Sequence, residues 1–354
     1  MPVGWTSWMP FSPEGLKMKH RGYTGYHGRR SQQKRWLTLL LIVVLLLGGA
    51  FLLVQNYVVY DDSGKMHFDI PFFGRVDEDE PPALQDEDIT IDIIAPEEGV
   101  LTLRPVKELH GRQLGSRVLI RDSEKAVEAV PEEDVVIEVK RVNGFVNYDS
   151  QVNIPPEVDV SRGETLANFK AVLAGEKYVV ARMSTFCDSY FVRAYREAAL
   201  SRENGSYWYD GDNRTWLDPT HPQTLAYITA LCQELTELGV DELMLDHFAY
   251  PVTGNVTAIV GLDQTDRAEV LSDFAAALRA NLPEETVLGI VLHNDLAAED
   301  GINAELITSC FDRVYVAADV DTVALKETLG PGYGAERIVS LVTKAPESGG
   351  YVIG

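Results

Sequence analysis

The 354-residue chain reads as an α/β protein: a (β/α)8 TIM-like barrel, weakest at its first and last units, preceded by one transmembrane helix. Three observations predict this. Short apolar runs rich in β-branched residues alternate with helical patterns at the spacing of βα units. Eight such runs can be counted, whereas a doubly wound open sheet usually needs fewer and carries a Gly-rich phosphate loop, which this sequence lacks. Ahead of them, Trp36 to Val54, WLTLLLIVVLLLGGAFLLV, is an apolar or small-residue run with Thr38 as its only polar side chain.

That run is long enough, at roughly 1.5 Å rise per residue, to cross a hydrocarbon core of about 30 Å, and it shows no polar face. Lys17, Lys19, Arg21, Arg29, Arg30, Lys34 and Arg35 precede it, and Asp61 and Asp62 follow. The basic flank keeps the N-terminus in the cytosol and sends the rest across the membrane. Gln55, Asn56 and Tyr57 follow the run in place of a small-x-small cleavage site, so an uncleaved signal anchor is expected. The organisation is then a basic cytosolic tail at 1–35, an anchor at 36–56, a stalk at 57–98 and a barrel domain at 99–354. The stalk is acidic and Pro-rich, with DEDEPP at 77–82 and DED at 86–88, and its charges repel one another into an extended form. A formal net charge of -23 makes nucleic acid a poor partner. Cys187, Cys232 and Cys310 are too few and too far apart for a disulfide framework. The sequons at Asn204, Asn213 and Asn255 read as chance occurrences.

Within the barrel domain the first strand is the least marked, Val118 to Ile120 or alternatively Val100 to Leu103. The next seven are Val135 to Val139, Tyr178 to Met183, Leu243 to Phe248, Val287 to Leu292, Val314 to Ala317, Ile338 to Val342 and Tyr351 to Ile353. Helices are expected near Glu164 to Leu173, Tyr190 to Leu200, Thr224 to Leu238, Asp266 to Asn281, Asn303 to Cys310 and Val323 to Leu329. The clearest unit is the fourth. Leu225, Ile228, Leu231, Leu235 and Leu238 recur at helical spacing, Gly239 stops the helix, and a buried strand follows that ends on Asp246.

Active sites of such barrels gather at the carboxyl ends of the strands, which makes Asp246 the leading catalytic candidate. Lys140 and Arg141 follow the second strand; Arg182 lies in the third, with Asp188 beyond it. His247 adjoins Asp246, and His293, Asn294 and Asp295 follow the fifth strand. Asp319 follows the sixth, Lys344 and Glu347 the seventh. Glycosidic hydrolysis needs two carboxyl groups across the scissile bond, one a proton donor and one ionised. Asp295 and Asp319 are the candidate partners of Asp246. An apolar strand would raise the pKa of Asp246 by desolvation, and Arg182 on the neighbouring strand would lower it. The long loop before the fourth helix carries Tyr207, Trp208, Tyr209 and Trp216, which suit either stacking on sugar rings or the packed body of a loop. Asp218 or Thr220 would cap the next helix, and Asp218 could equally contact substrate.

Four segments, VVIEVKRVNGFVNYDS at 135–150, KYVVARMSTFCD at 177–188, ENGSYWYDGDNRTWLDPTHP at 203–222 and GVDELMLDHFAYP at 239–251, resemble bacterial glycoside hydrolases with a DUF4015-type TIM-barrel domain. The similarity covers roughly 117–354. In that family the second strand looks like VVIDVKDD, the third ends in Ala-Arg, the loop carries Trp-x-Asp-Pro and the fourth strand reads like FDYVRFP. Lys140, Arg182, Trp216, Asp218, Asp246 and Pro251 match. The resemblance implies a cell-surface polysaccharide-processing enzyme with Asp246 as catalytic acid or nucleophile. Lys140, Arg182, Trp208, Trp216, Asp218, His247 and Tyr250 are its expected substrate contacts. Departures are Arg141 and Val142 in place of paired acids, Ala249 in place of an arginine, and a fifth strand, VLGIVLH, without a carboxylate. The alternative is therefore a non-catalytic glycan-binding or scaffold domain derived from such a hydrolase. A metal-dependent deacetylase or amidase would need an Asp and His ligand set, and His221, His247 and His293 fall in no ligand motif. Neither a metal nor another cofactor is expected. The partners expected are a polysaccharide or cell-wall glycan and the membrane.

Overall fold

The computed structural model describes residues 58–60, 66–68, 89, 91–95, 102–115, 117–120, 123–130, 133–158, 160–296, 299–317 and 320–354. The basic tail at 1–35, the span Trp36 to Val54 and most of the stalk lie outside these residues. Among the described residues no helix is long and apolar enough to cross a membrane. The chain divides into two units, Met1–Leu84 and Gln85–Gly354. In the first, β1 (Val58–Tyr60) pairs antiparallel with β2 (Met66–Phe68), with Val59 opposite His67. This short ladder lies within the segment expected to be an extended stalk.

The second unit is a closed barrel of eight parallel strands: β3 (His110–Leu114), β4 (Asp134–Lys140), β5 (Val179–Ser184), β6 (Glu242–Asp246), β7 (Val287–Leu292), β8 (Arg313–Val316), β9 (Ile338–Val342) and β10 (Tyr351–Ile353). Closure is made by β10 against β3, Val352 opposite Gly111. A Cβ at Gly111 would lie 3.2 Å from a Val352 methyl, so glycine suits the close approach at the seam.

The first strand differs from the expectation. Val118–Ile120 forms a single 3-10 turn that buries Leu119. Thr102 and Leu103, the described part of the alternative segment, are not in a strand. The true first strand, HGRQL, has Leu114 as its one apolar side chain and so lacks the apolar run that marks the other seven. Helices Thr165–Leu173, Pro222–Leu238, Arg267–Ala280, Ala304–Cys310 and Thr322–Leu329 lie where their periodicity placed them, and Ser123–Glu128 adds a short one after β3. The helix expected over Tyr190 to Leu200 is broken into Phe191–Ala194 and a 3-10 turn, Arg196–Ala198, by the non-helical backbone of Tyr195.

The barrel unit also starts earlier than residue 99. Ile89 is buried in the main core, and Ile94 exchanges hydrogen bonds with the Asn281 side chain, its N–H at 2.8 Å from Oδ1 and its carbonyl at 2.9 Å from Nδ2. Within ITIDII, Ile89 and Ile91 pack on the core while Ile93 and Ile94 stay exposed.

Two apolar clusters hold the barrel. The larger lies between strands and helices; the smaller, made of Leu109, Val136, Val180, Met244, Val291, Tyr315, Val339 and Val352, fills the interior. Beside this interior cluster sits a buried polar knot. Glu242 is fully buried, pairs with Arg313 and accepts the hydroxyls of Tyr315 at 2.6 Å and Tyr178 at 3.0 Å. Arg313 further donates to the carbonyls of Lys107 and Glu336. Gly289 leaves the space this knot needs, because a Cβ there would meet Tyr315 and Glu242.

Candidate active site

Side chains alternate between the two faces of a strand, so the residue two places beyond each interior apolar position also points into the barrel, one layer nearer its carboxyl end. From Gly111, Val136, Val180, Met244 and Val291 this step leads to Gln113, Glu138, Arg182, Asp246 and His293. Four polar side chains from strands β3 to β6, and His293 just past the end of β7, therefore gather in one layer.

Arg182 organises it. Its Nε and Nη2 donate to Asp246 Oδ2 at 3.0 and 2.5 Å, and its Nη1 donates to Gln113 Oε1 at 2.6 Å. The other Asp246 oxygen, Oδ1, accepts the His247 amide at 2.8 Å and lies 2.6 Å from His293 Nε2 and 3.0 Å from His247 Nδ1. Asp246 is 4 % exposed. Burial pushes its pKa up, but His247, His293 and the Arg182 guanidinium outweigh it and hold the carboxyl well below the usual carboxylate range. Asp246 is thus ionised. Glu138 is displaced in the opposite direction: desolvation raises its pKa and nearby Asp246 adds to the rise, against opposing pulls from Arg182 and Arg141.

Strand β6 ends at Asp246, and His247 takes a left-handed backbone, φ 52°, which is uncommon outside glycine. That turn brings its ring back beside the Asp246 carboxylate and against Trp216, edge-on at 5.8 Å between centroids. A cavity of about 290 Å³ opens beyond, lined among others by Trp216, His247, Tyr250, His293 and Asp300. Two carboxylates are among its lining residues: Asp210 accepts the Trp216 indole N–H at 3.0 Å, and burial raises the pKa of Asp300.

The other expected contacts divide sharply. Arg182, Trp216, His247 and Tyr250 lie in the polar layer or on the cavity wall. Lys140 does not reach a substrate: it is 2 % exposed, ion-paired to Asp188 at 2.8 Å, and donates to the Ser184 carbonyl at 2.7 Å. It braces β4 against the end of β5, and Gly144 at φ 95° packs directly on the same Asp188 carboxylate. Trp208 is fully buried with its indole donating to the Asn255 carbonyl at 2.7 Å, so it forms the body of the loop. Asp218 accepts the amide and hydroxyl of Thr220 at 2.8 and 2.7 Å, closing a turn; the helix cap is His221, whose Nδ1 accepts the Gln223 amide. Neither Asp218 nor Thr220 is the cap. Asp295 is exposed and accepts the Asp321 amide at 3.2 Å, away from the contacts that join Asp246 to its neighbours. Asp319 lies outside the described residues.

The residue that sequence reasoning missed is Glu138. It sits inside an apolar run, VVIEVK, two places before the lysine that a reading of strand ends selects. The signal was period two: Val136 faces in, so residue 138 does too, and VVIDVKDD carries an acid at that place.

Residues 110–314 match the DUF4015 family, described as "Putative glycosyl hydrolase domain". No curated protein matches the chain. Among solved structures, a hypothetical protein from Ruminiclostridium thermocellum is similar at 24% identity over 51% of this chain and 96% of its own, with TM-score 0.41. The glycoside hydrolase domain of PelA from Pseudomonas aeruginosa is similar at 14% identity, covering 67% of this chain and 84% of its own, TM-score 0.39. Ega3 of Aspergillus fumigatus, in complex with galactosamine, is similar at 11% identity, covering 69% and 81%, TM-score 0.38.

Proposed function

The chain belongs to the DUF4015 family of glycosyl hydrolase domains, and from that premise we propose that it is a membrane-anchored glycoside hydrolase whose barrel works outside the cytosol on cell-surface or extracellular polysaccharide. The observation that carries the reading is the pair Glu138 and Asp246, two carboxyls flanking Arg182 in one layer and shifted in opposite directions. Environments that drive two acids apart assign their roles. Glu138, raised, holds the proton that the leaving glycosidic oxygen takes. Asp246, held ionised, stabilises the positive charge that develops on the sugar and attacks the anomeric carbon or accepts a proton from the attacking water. Trp216 and Tyr250 wall the cavity with apolar surface suited to a sugar ring. Anchoring and orientation rest on the Trp36 to Val54 run and its basic flank.

The alternative, a glycan-binding domain without turnover, is favoured by one observation: Arg182 and His293 already occupy both oxygens of Asp246, at 2.5 and 2.6 Å. One assay separates the two. Full-length protein in detergent is incubated with cell-wall and capsular glycans, and released reducing ends are measured beside glycan binding. Hydrolysis by the wild type and its loss in Asp246→Asn, with binding kept, is the expected result. Binding without release from any glycan of the panel would leave only the alternative.

A further inference from the structure

Asp246, His247 and His293 offer one donor atom each, and these atoms all lie within 4.8 Å of one another. The carboxylate contributes Oδ1, since Arg182 holds Oδ2. His247 contributes Nδ1, a buried nitrogen without a hydrogen-bond partner although it stands 3.0 Å from Oδ1. His293 contributes Nε2 from a side chain 45% exposed at the cavity wall, one residue past the end of β7, the strand next to that of Asp246. The left-handed backbone at residue 247 is what makes two adjacent residues converge on one point, and strain of that kind collects where a site demands it. No spacing in the sequence could announce the set, because two of its members are neighbours and the third is reached only across the β6–β7 ladder.

We infer that these three side chains form a binding site for a divalent transition-metal ion of the zinc class. Two imidazoles and one carboxylate, with the cavity on the open side, are the donors of a site that keeps a position for water or substrate. Imidazole favours Zn²⁺, Ni²⁺ and Cu²⁺, whereas Mg²⁺ and Ca²⁺ seek oxygen ligands. The ion enters between Oδ1 and the ring nitrogens, and the donors open until each lies roughly 2.0–2.2 Å from it. With Oδ1 bound to metal, Asp246 cannot attack a sugar, so metal and glycosidic chemistry exclude one another at this carboxylate. The inference itself does not depend on the hydrolase reading, because binding is measured directly.

The test titrates metal-free full-length protein with Zn²⁺ by calorimetry and with Co²⁺ by visible absorption. One tight equivalent is expected, with an intense Co²⁺ band, not displaced by Mg²⁺. His293→Ala, at an exposed position, should weaken binding at least roughly tenfold, the loss that even an outer-shell partner causes. His247→Asn should do the same, asparagine tolerating the left-handed backbone. Circular dichroism confirms that both variants stay folded. Absence of a tight equivalent in the wild type, or unchanged affinity in both variants, overturns the assignment.

Discussion

At the scale of the residue, the site turns on which carboxyl holds the proton. An acid that works protonated loses activity as pH rises through its pKa, and that of Glu138 is raised by desolvation, which moves this limb upward from where a solvated glutamate would place it. Asp246 works ionised, and its pKa is shifted downward, so its limb lies on the acid side of that of Glu138. The expected rate profile is a plateau that falls on the alkaline side. Glu138→Gln should lower kcat by about 10²–10⁴-fold and abolish that limb, read from kcat against pH. If the variant keeps the wild-type limb, another group supplies the proton. Asp246 itself was legible in the sequence, as an acid ending an apolar strand; Glu138 was legible only through alternation. Lys140 shows the converse. A lysine at a strand end looks like a ligand contact, and only the burial of Asp188 beside it reveals an internal brace.

At the scale of the element, seven of the eight barrel strands were legible because apolar β-branched runs leave a strong mark, and five helices because their buried stripes recur at helical spacing. The exceptions have physical causes. Strand β3 carries His110, Gly111, Arg112 and Gln113, polar or without a side chain, and it pairs on both sides through backbone groups that leave no mark in composition. The helix after β5 stops at Tyr195, whose amide still reaches the Phe191 carbonyl but whose own backbone leaves the helical region, φ -120° and ψ 82°. The knot on β6 and β8 carries a prediction of its own. Replacing Glu242 by leucine leaves Arg313 charged, buried and without its partner, which should cost about 3–5 kcal/mol, measured by urea unfolding. A loss below about 1 kcal/mol would mean that the backbone carbonyls of Lys107 and Glu336 suffice for the guanidinium.

At the scale of the whole molecule, the proposed anchor makes a fractionation result. Full-length protein should stay in the membrane pellet after an alkaline carbonate wash. Protein lacking 36–54 should be found in the supernatant, and protease added to intact cells should digest the barrel of the full-length form. Carbonate-released full-length protein would refute the anchor. The barrel also has a temporal consequence. Tyr351–Ile353 is the strand that joins β9 to β3. Until those residues have been made and delivered, both neighbours present open backbone edges of the kind that recruit other chains. A barrel sealed across so great a sequence distance closes late and slowly. The interval between synthesis of β3 and arrival of β10 is the period in which this protein most needs protection from its own copies.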